Sequence, residues 1–93
     1  MNSERVQRMR SRLESGLQPT ELEIIDDSHL HAGHAGARDG RGHFRVRIVA
    51  ACFAGVPTLR RHQLVYQCLG EMMQTDIHAL SITALPAPAS PAA

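Results

Sequence analysis

The first hydrophobic pattern in the chain has the period of an α-helix. Apolar residues recur at spacings of three and four, which places them on one face: Val6, Met9, Leu13 and Leu17. Asn2 or Ser3 is suited to cap the start of this helix, and Pro19 is expected to stop it. The segment therefore predicts an amphipathic helix that buries one face.

Two strands are predicted after this helix. In ELEII, residues 21–25, Leu22 and Ile24 lie on one side. In HFRVRIVA, residues 43–50, side chains alternate: the inward set is Phe44, Val46 and Ile48, and the outward set is His43, Arg45 and Arg47. A loop with four glycines, residues 28–42, connects the strands, so we expect them to pair antiparallel.

A second helix and a third strand complete the pattern. Gly55 and Pro57 indicate a turn, and Thr58 is expected to cap the helix LRRHQLVYQCLGEMMQ, residues 59–74. The apolar set of this helix includes Leu59, Val65, Leu69, Met72 and Met73, with Cys68 beside it as a buried thiol. The segment IHALSITA, residues 77–84, is a third strand. The order predicts an α+β fold of two layers, with helices covering one face of the sheet.

Composition narrows the class of protein. A chain of 93 residues predicts one domain, residues 1–85, and the Pro/Ala-rich residues 86–93 are expected to be a disordered tail. The aromatic fraction of 3% disfavours a base-stacking platform. Because the chain has no apolar signal core and no apolar run of about 18 residues, we expect a soluble, cytoplasmic protein without membrane contact. Enzyme motifs are missing, so a non-enzymatic role is expected.

Charge is balanced overall but not along the chain. The net charge is +1, whereas residues 38–61 carry six arginines against one aspartate. Such a strip is suited to contact phosphates or carboxylates, although a solvated face is the favoured interpretation.

Histidine is the recurring candidate for chemistry. His29, His31 and His34 share the glycine-rich loop; no cysteine is near them, so a solvated loop is favoured over a structural zinc site. His78 opens the third strand with the parity of Leu80, and from that position its side chain can lean over the end of the sheet, where a loop imidazole can meet it. His62, one helical turn before Tyr66, is interpreted as a packing or hydrogen-bonding residue.

Four segments together resemble the BolA family: LEIIDDSHLHAGH, HFRVRIVAACFAG, RRHQLVYQCLGEMM and IHALSITALPAP. The resemblance runs from about Glu21 to Pro86. It implies an α-β-β-(short helix)-α-β fold with a three-stranded sheet, akin to a class II KH domain. Many family members continue into a tryptophan-containing segment, which LPAPASPAA replaces here.

The resemblance also implies a function. BolA proteins partner monothiol glutaredoxins and share a bridging 2Fe–2S cluster, to which the glutaredoxin and a bound glutathione contribute thiolates. On this chain the implied ligands are His78 and, in the loop, His31, with His29 and His34 as alternatives. We therefore expect a non-enzymatic accessory protein of iron–sulfur and iron homeostasis. The isolated protein is expected to carry no cofactor and to be a monomer or weak homodimer.

A DNA-binding transcriptional regulator is the alternative, because the family has also been described in that role. The candidate phosphate contacts are Arg45, Arg47, Arg60 and Arg61. The net charge of +1 and the scarcity of aromatic residues weigh against it, and no G-x-x-G clamp stands where a KH-like fold would place one.

Overall fold

The structure, a computed structural model, describes residues 3–28 and 41–88. Its elements are α1 (Ser3–Leu17), β1 (Glu21–Asp26), β2 (Gly42–Ala50), a short 3-10 helix (Ala51–Phe53), α2 (Thr58–Leu69), α3 (Met72–Thr75) and β3 (Ile77–Pro86). This order confirms the predicted mixed α+β fold with a three-stranded sheet. No helix in these two ranges is long and apolar enough to span a bilayer.

The central strand of the sheet is β2. It pairs antiparallel with β1, as predicted, so that Leu22 lies opposite Ile48. It pairs parallel with β3, which requires a crossover connection, and α2 and α3 lie in that crossover. The strands β1 and β3 are therefore the two edges of the sheet.

The helices cover one face of the sheet and enclose the core. Its most deeply buried large side chains come from every layer: Met9, Leu13, Val46, Ile48, Phe53, Val65, Leu69, Met72 and Ile77. The predicted alternation of β2 is confirmed, because Phe44 is buried whereas Arg45 and Arg47 are exposed on the opposite face. Cys68 packs against the core, and burial is the main cause that raises the pKa of its thiol.

The predicted helix over residues 59–74 is wrong in three respects. Gly70 adopts a positive φ of 54°, which ends α2 and separates it from α3. Thr58 is the first residue of α2 and does not cap it; the preceding Pro57 has no capping side chain. Leu59 is 72% exposed, because a residue six positions before Val65 is rotated about 120° from the buried face of a helix.

The strand β3 continues beyond the predicted Ala84 to Pro86. The N–H of Ala87 then donates to the carbonyl of Ala50 at 3.2 Å. Residues 89–93 of the tail lie outside the described residues.

Candidate metal-ligand site

His78 occupies an irregular position at the start of β3. Gly42 pairs with Ile77 and His43 pairs with Ala79, so His78 is an extra residue between two ladder positions. An extra residue of this kind changes the direction of the side chain it carries. The sequence placed His78 in phase with Leu80, but the bulge removes it from that register. Its side chain is exposed at one end of the sheet.

His43, at the start of β2, is the nearest ring. The centroids of the His43 and His78 rings are 5.1 Å apart, and the ring planes are tilted by 52°. His43 is half-buried, and its Nε2 atom is inaccessible to solvent. The sequence placed His43 on the outward face of its strand but not in the candidate site. Its place beside His78 depends on the parallel pairing of β2 with β3, which the sequence pattern did not specify.

Arg41 contacts the exposed ring of His78. Its Nη2 atom is 3.2 Å from Nδ1 of His78. The two backbones are held together next to this contact, because the N–H of Gly42 donates to the carbonyl of Asp76 at 2.9 Å.

The ends of the β1–β2 connection also lie at this end of the sheet. The N–H of His43 donates to Oγ of Ser28 at 3.1 Å, and the N–H of Asp27 donates to the carbonyl of His43 at 2.8 Å. Ser28 and Arg41 flank residues 29–40, which lie outside the described residues. The predicted loop ligands His31, His29 and His34 fall in that range, so the part of the site within the described residues consists of His78 and its neighbour His43.

Asp76 fastens the start of β3 to α1. Its carboxylate accepts hydrogen bonds from the side chains of Arg5, Arg8 and Thr75. The Thr75 hydroxyl is the main cause that holds the pKa of Asp76 below its ordinary value; the bonds from Arg8 and Arg5 add to it, and burial opposes it. This anchor lies two residues before His78 and fixes the backbone from which the imidazole projects.

The arginines predicted to contact DNA are engaged within the chain. Arg45 donates to Asp27, which raises the pKa of the guanidinium, and Arg47 donates to Glu21 at 2.9 Å. Arg61 donates to the carbonyls of Val56 and Ala84, and Arg60 lies near Gln63. Arg45 and Arg47 lie on the open face of the sheet, whereas Arg60 and Arg61 belong to α2 on the other side. The structure does not bring the four together.

The exposed imidazole of His78 can supply part of the ligand set of a metal site. Among the described residues, no cluster of three or more His, Cys, Asp or Glu side chains is placed to hold a metal ion. The exposed imidazole of His78 can give one nitrogen to a mixed thiolate and imidazole site, whereas Nε2 of His43 is closed to solvent. The thiolates of such a site would come from a partner. A cleft of about 300 Å³ beside the two rings is lined by Asp27, His43, Arg45, Ala79 and Ser81, among others.

The fold and the histidine pair define a small α+β domain with candidate metal ligands at one end of its sheet. Residues 13–88 match the family described as BolA-like protein. The chain belongs to this family. It is 48% identical over 81 residues to Protein BOLA1, chloroplastic, of Arabidopsis thaliana, covering 84% of this chain and 51% of that protein. The chain thus spans about half the length of that relative.

The chain is also similar to a bacterial protein named as a transcriptional regulator and to two solved plant structures. The DNA-binding transcriptional regulator BolA of Escherichia coli (strain K12) is 36% identical over 76 residues, which is 82% of this chain and 70% of that protein. Among solved structures, the BolA domain of SufE1 from Arabidopsis thaliana has a TM-score of 0.78 at 42% identity, covering 91% of this chain and 93% of that one. BolA1 from the same plant has a TM-score of 0.77 at 41% identity, covering 94% and 96%.

Proposed function

We propose that this protein is a non-enzymatic accessory protein of iron–sulfur and iron homeostasis. It forms a heterocomplex with a monothiol glutaredoxin and shares a 2Fe–2S cluster with that partner and a bound glutathione. The observation that carries the proposal is the His43–His78 pair, with ring centroids 5.1 Å apart at an exposed end of the sheet. Membership of the BolA-like family supports the choice of partner.

The chain contributes imidazole nitrogen to the shared cluster. His78 is the principal ligand, because the strand and the Asp76 anchor fix its backbone before a partner arrives. The second imidazole comes from His31, with His29 and His34 as alternatives. The His43 ring, whose Nε2 atom is closed to solvent, lies beside His78. Imidazole ligation on one iron raises the potential of a 2Fe–2S cluster above that of an all-thiolate one. Neutral imidazole ligands also make ligation sensitive to pH.

Titration of this protein into a cluster-loaded monothiol glutaredoxin, followed by visible circular dichroism, tests the proposal. We expect a new spectrum that saturates as the heterocomplex forms, because thiolate is replaced by imidazole on one iron. The same titration into glutaredoxin without a cluster is the control and should leave the visible region empty. A glutaredoxin spectrum that stays unchanged at excess protein would refute the proposed cluster sharing.

DNA binding is the second candidate, and the name of the Escherichia coli relative favours it. The intrachain pairs of Arg45 and Arg47 would compete with phosphate contacts on the open face. If the arginines bind DNA, affinity should fall steeply with salt and should be lost when Arg45, Arg47, Arg60 and Arg61 are all replaced by glutamine. Unchanged affinity in that variant would remove the electrostatic basis of this candidate.

A further inference from the structure

We propose that Arg41 is a positioning residue that opposes metal ligation by His78. It holds the His78 ring in a hydrogen-bonded state that leaves neither nitrogen ready for a metal ion, and it must release the ring before ligation. This inference rests on the proposed role of His78 as a ligand.

The chemistry of the two side chains fixes the state of the ring. A guanidinium has only N–H donors and remains protonated in proteins. The 3.2 Å contact from Nη2 of Arg41 to Nδ1 of His78 is therefore a hydrogen bond only when Nδ1 offers its lone pair. In the neutral ring the proton is then on Nε2, which has no lone pair to give.

Either nitrogen of His78 requires the loss of this bond before it can bind a metal ion. Ligation through Nδ1 uses the lone pair that Arg41 occupies. Ligation of the neutral ring through Nε2 moves the proton to Nδ1. The N–H of Nδ1 would then face the N–H of Arg41, and two donors cannot form a hydrogen bond. The Arg41 contact and metal ligation by His78 are thus mutually exclusive.

The backbone keeps the contact in place. Gly42, which follows Arg41, pairs with Ile77, which precedes His78, and its N–H donates to the carbonyl of Asp76. Arg41 and His78 each lie next to a residue that is paired in the strand ladder, so their backbones have little freedom and the bond forms at a small entropic cost. A partner that brings its own metal-bound thiolates has to displace the guanidinium, which can then donate to an acceptor on that partner.

The test measures the His78 ring directly in the isolated protein, with Zn²⁺ as the probe. Long-range proton–nitrogen NMR spectra distinguish a protonated ring nitrogen from one with a free lone pair. In the parent, His78 should show a proton on Nε2 and a hydrogen-bonded lone pair on Nδ1. In Arg41→Ala the Nδ1 signal should move, and Zn²⁺ should bind His78 about threefold to tenfold more tightly, as expected for the net contribution of one ordinary hydrogen bond.

Two controls separate this effect from simple charge repulsion. Arg10→Ala removes a cation beside Leu22, at the opposite end of the sheet, and should leave the Zn²⁺ affinity of His78 unchanged. The gain in Arg41→Ala should also persist at about 1 M non-coordinating salt, where the Debye length is about 3 Å. Unchanged ring signals and affinity in Arg41→Ala, or a gain that disappears in salt, would overturn the inference. Because no glutaredoxin is used, failure of the proposed cluster sharing would be recognised separately.

Discussion

His43 and His78 come within 5.1 Å of each other, centroid to centroid, because His78 is the extra residue in β3 opposite the Gly42–His43 step of β2. One ring projects from the central strand and the other from an edge strand. Both backbones are held by the sheet, so the pair is organised before any ligand is present. This relationship links the fold to the proposed function.

Asp76→Asn should destabilise the fold. The buried carboxylate binds Arg5, Arg8 and Thr75, and its neutralisation leaves two arginines without their shared anion. We expect the free energy of unfolding at pH 7 to fall by about 2 kcal/mol, because the side chains of Arg5 and Arg8 remain 20% and 48% exposed and water can solvate them. Urea unfolding measures it. Glu71→Gln, which breaks an exposed pair with Arg12, is the matched control and should cost less than about 0.5 kcal/mol.

The same anchor predicts a pH dependence. The pKa of Asp76 is lower in the folded state than in the unfolded chain, so its stabilisation is present above the unfolded pKa. It is lost as the pH falls through the folded value. The difference in unfolding free energy between the parent and Asp76→Asn should therefore be constant near neutrality and should narrow below about pH 4. A difference that stays constant down to pH 2 would show that charge at Asp76 is not the cause.

The close approach of α1 to α2 at Gly16 can be tested by a double-mutant cycle. A Cβ at Gly16 would clash with Sγ of Cys68, so the Cys68 side chain or one of the two helices must move to accept Gly16→Ala. The expected cost of overpacking is about 1–3 kcal/mol, partly offset by the helix propensity of alanine, about 1 kcal/mol. In a Cys68→Ala background the same change should become neutral or stabilising. Equal effects of Gly16→Ala in both backgrounds, by thermal or urea unfolding, would contradict the contact.

The strands were predictable because alternation reports burial directly. Phe44, Val46 and Ile48 are buried, as their spacing indicates, and the antiparallel pairing with β1 follows from the connection. The bulge at His78 was not predictable, because it depends on how the start of β3 fits against Gly42 and not on the period of its own side chains. The approach of His43 is a consequence of that same long-range pairing.

The second helix was predicted less accurately than the strands, because α2 and α3 replace the single helix that its pattern indicated. Gly70 lies within an apparently continuous apolar pattern, and its positive φ becomes evident only from the chain path into α3. Leu59 is apolar, as residues on a buried helix face are, but it lies on a different side of the helix axis from the buried Val65. Arg41 offered no local signal of its own, because its role arises from a contact with a residue 37 positions away.

His62→Ala should affect stability more than cluster sharing. His62 is half-buried in α2, and its neighbour Arg61 donates to the carbonyl of Ala84, near the far end of β3 from His78. We expect a loss of about 1 kcal/mol in unfolding free energy, typical of point changes at partly buried positions. The visible circular-dichroism spectrum with cluster-loaded glutaredoxin should match that of the parent. A variant that melts like the parent but fails to share a cluster would show that the site is misplaced.

A visible circular-dichroism titration of three proteins into cluster-loaded monothiol glutaredoxin tests whether His78 is the principal ligand that this chain gives to a shared cluster. The parent should develop the spectrum of the histidine-ligated cluster. His31→Ala should weaken or alter that spectrum, because neighbouring imidazoles can replace one loop ligand. His78→Ala should abolish it even where the two proteins still associate, since the neighbouring His43 has its Nε2 atom closed to solvent and does not replace the exposed imidazole. If His78→Ala reproduces the parent spectrum, His78 is not a ligand of the cluster.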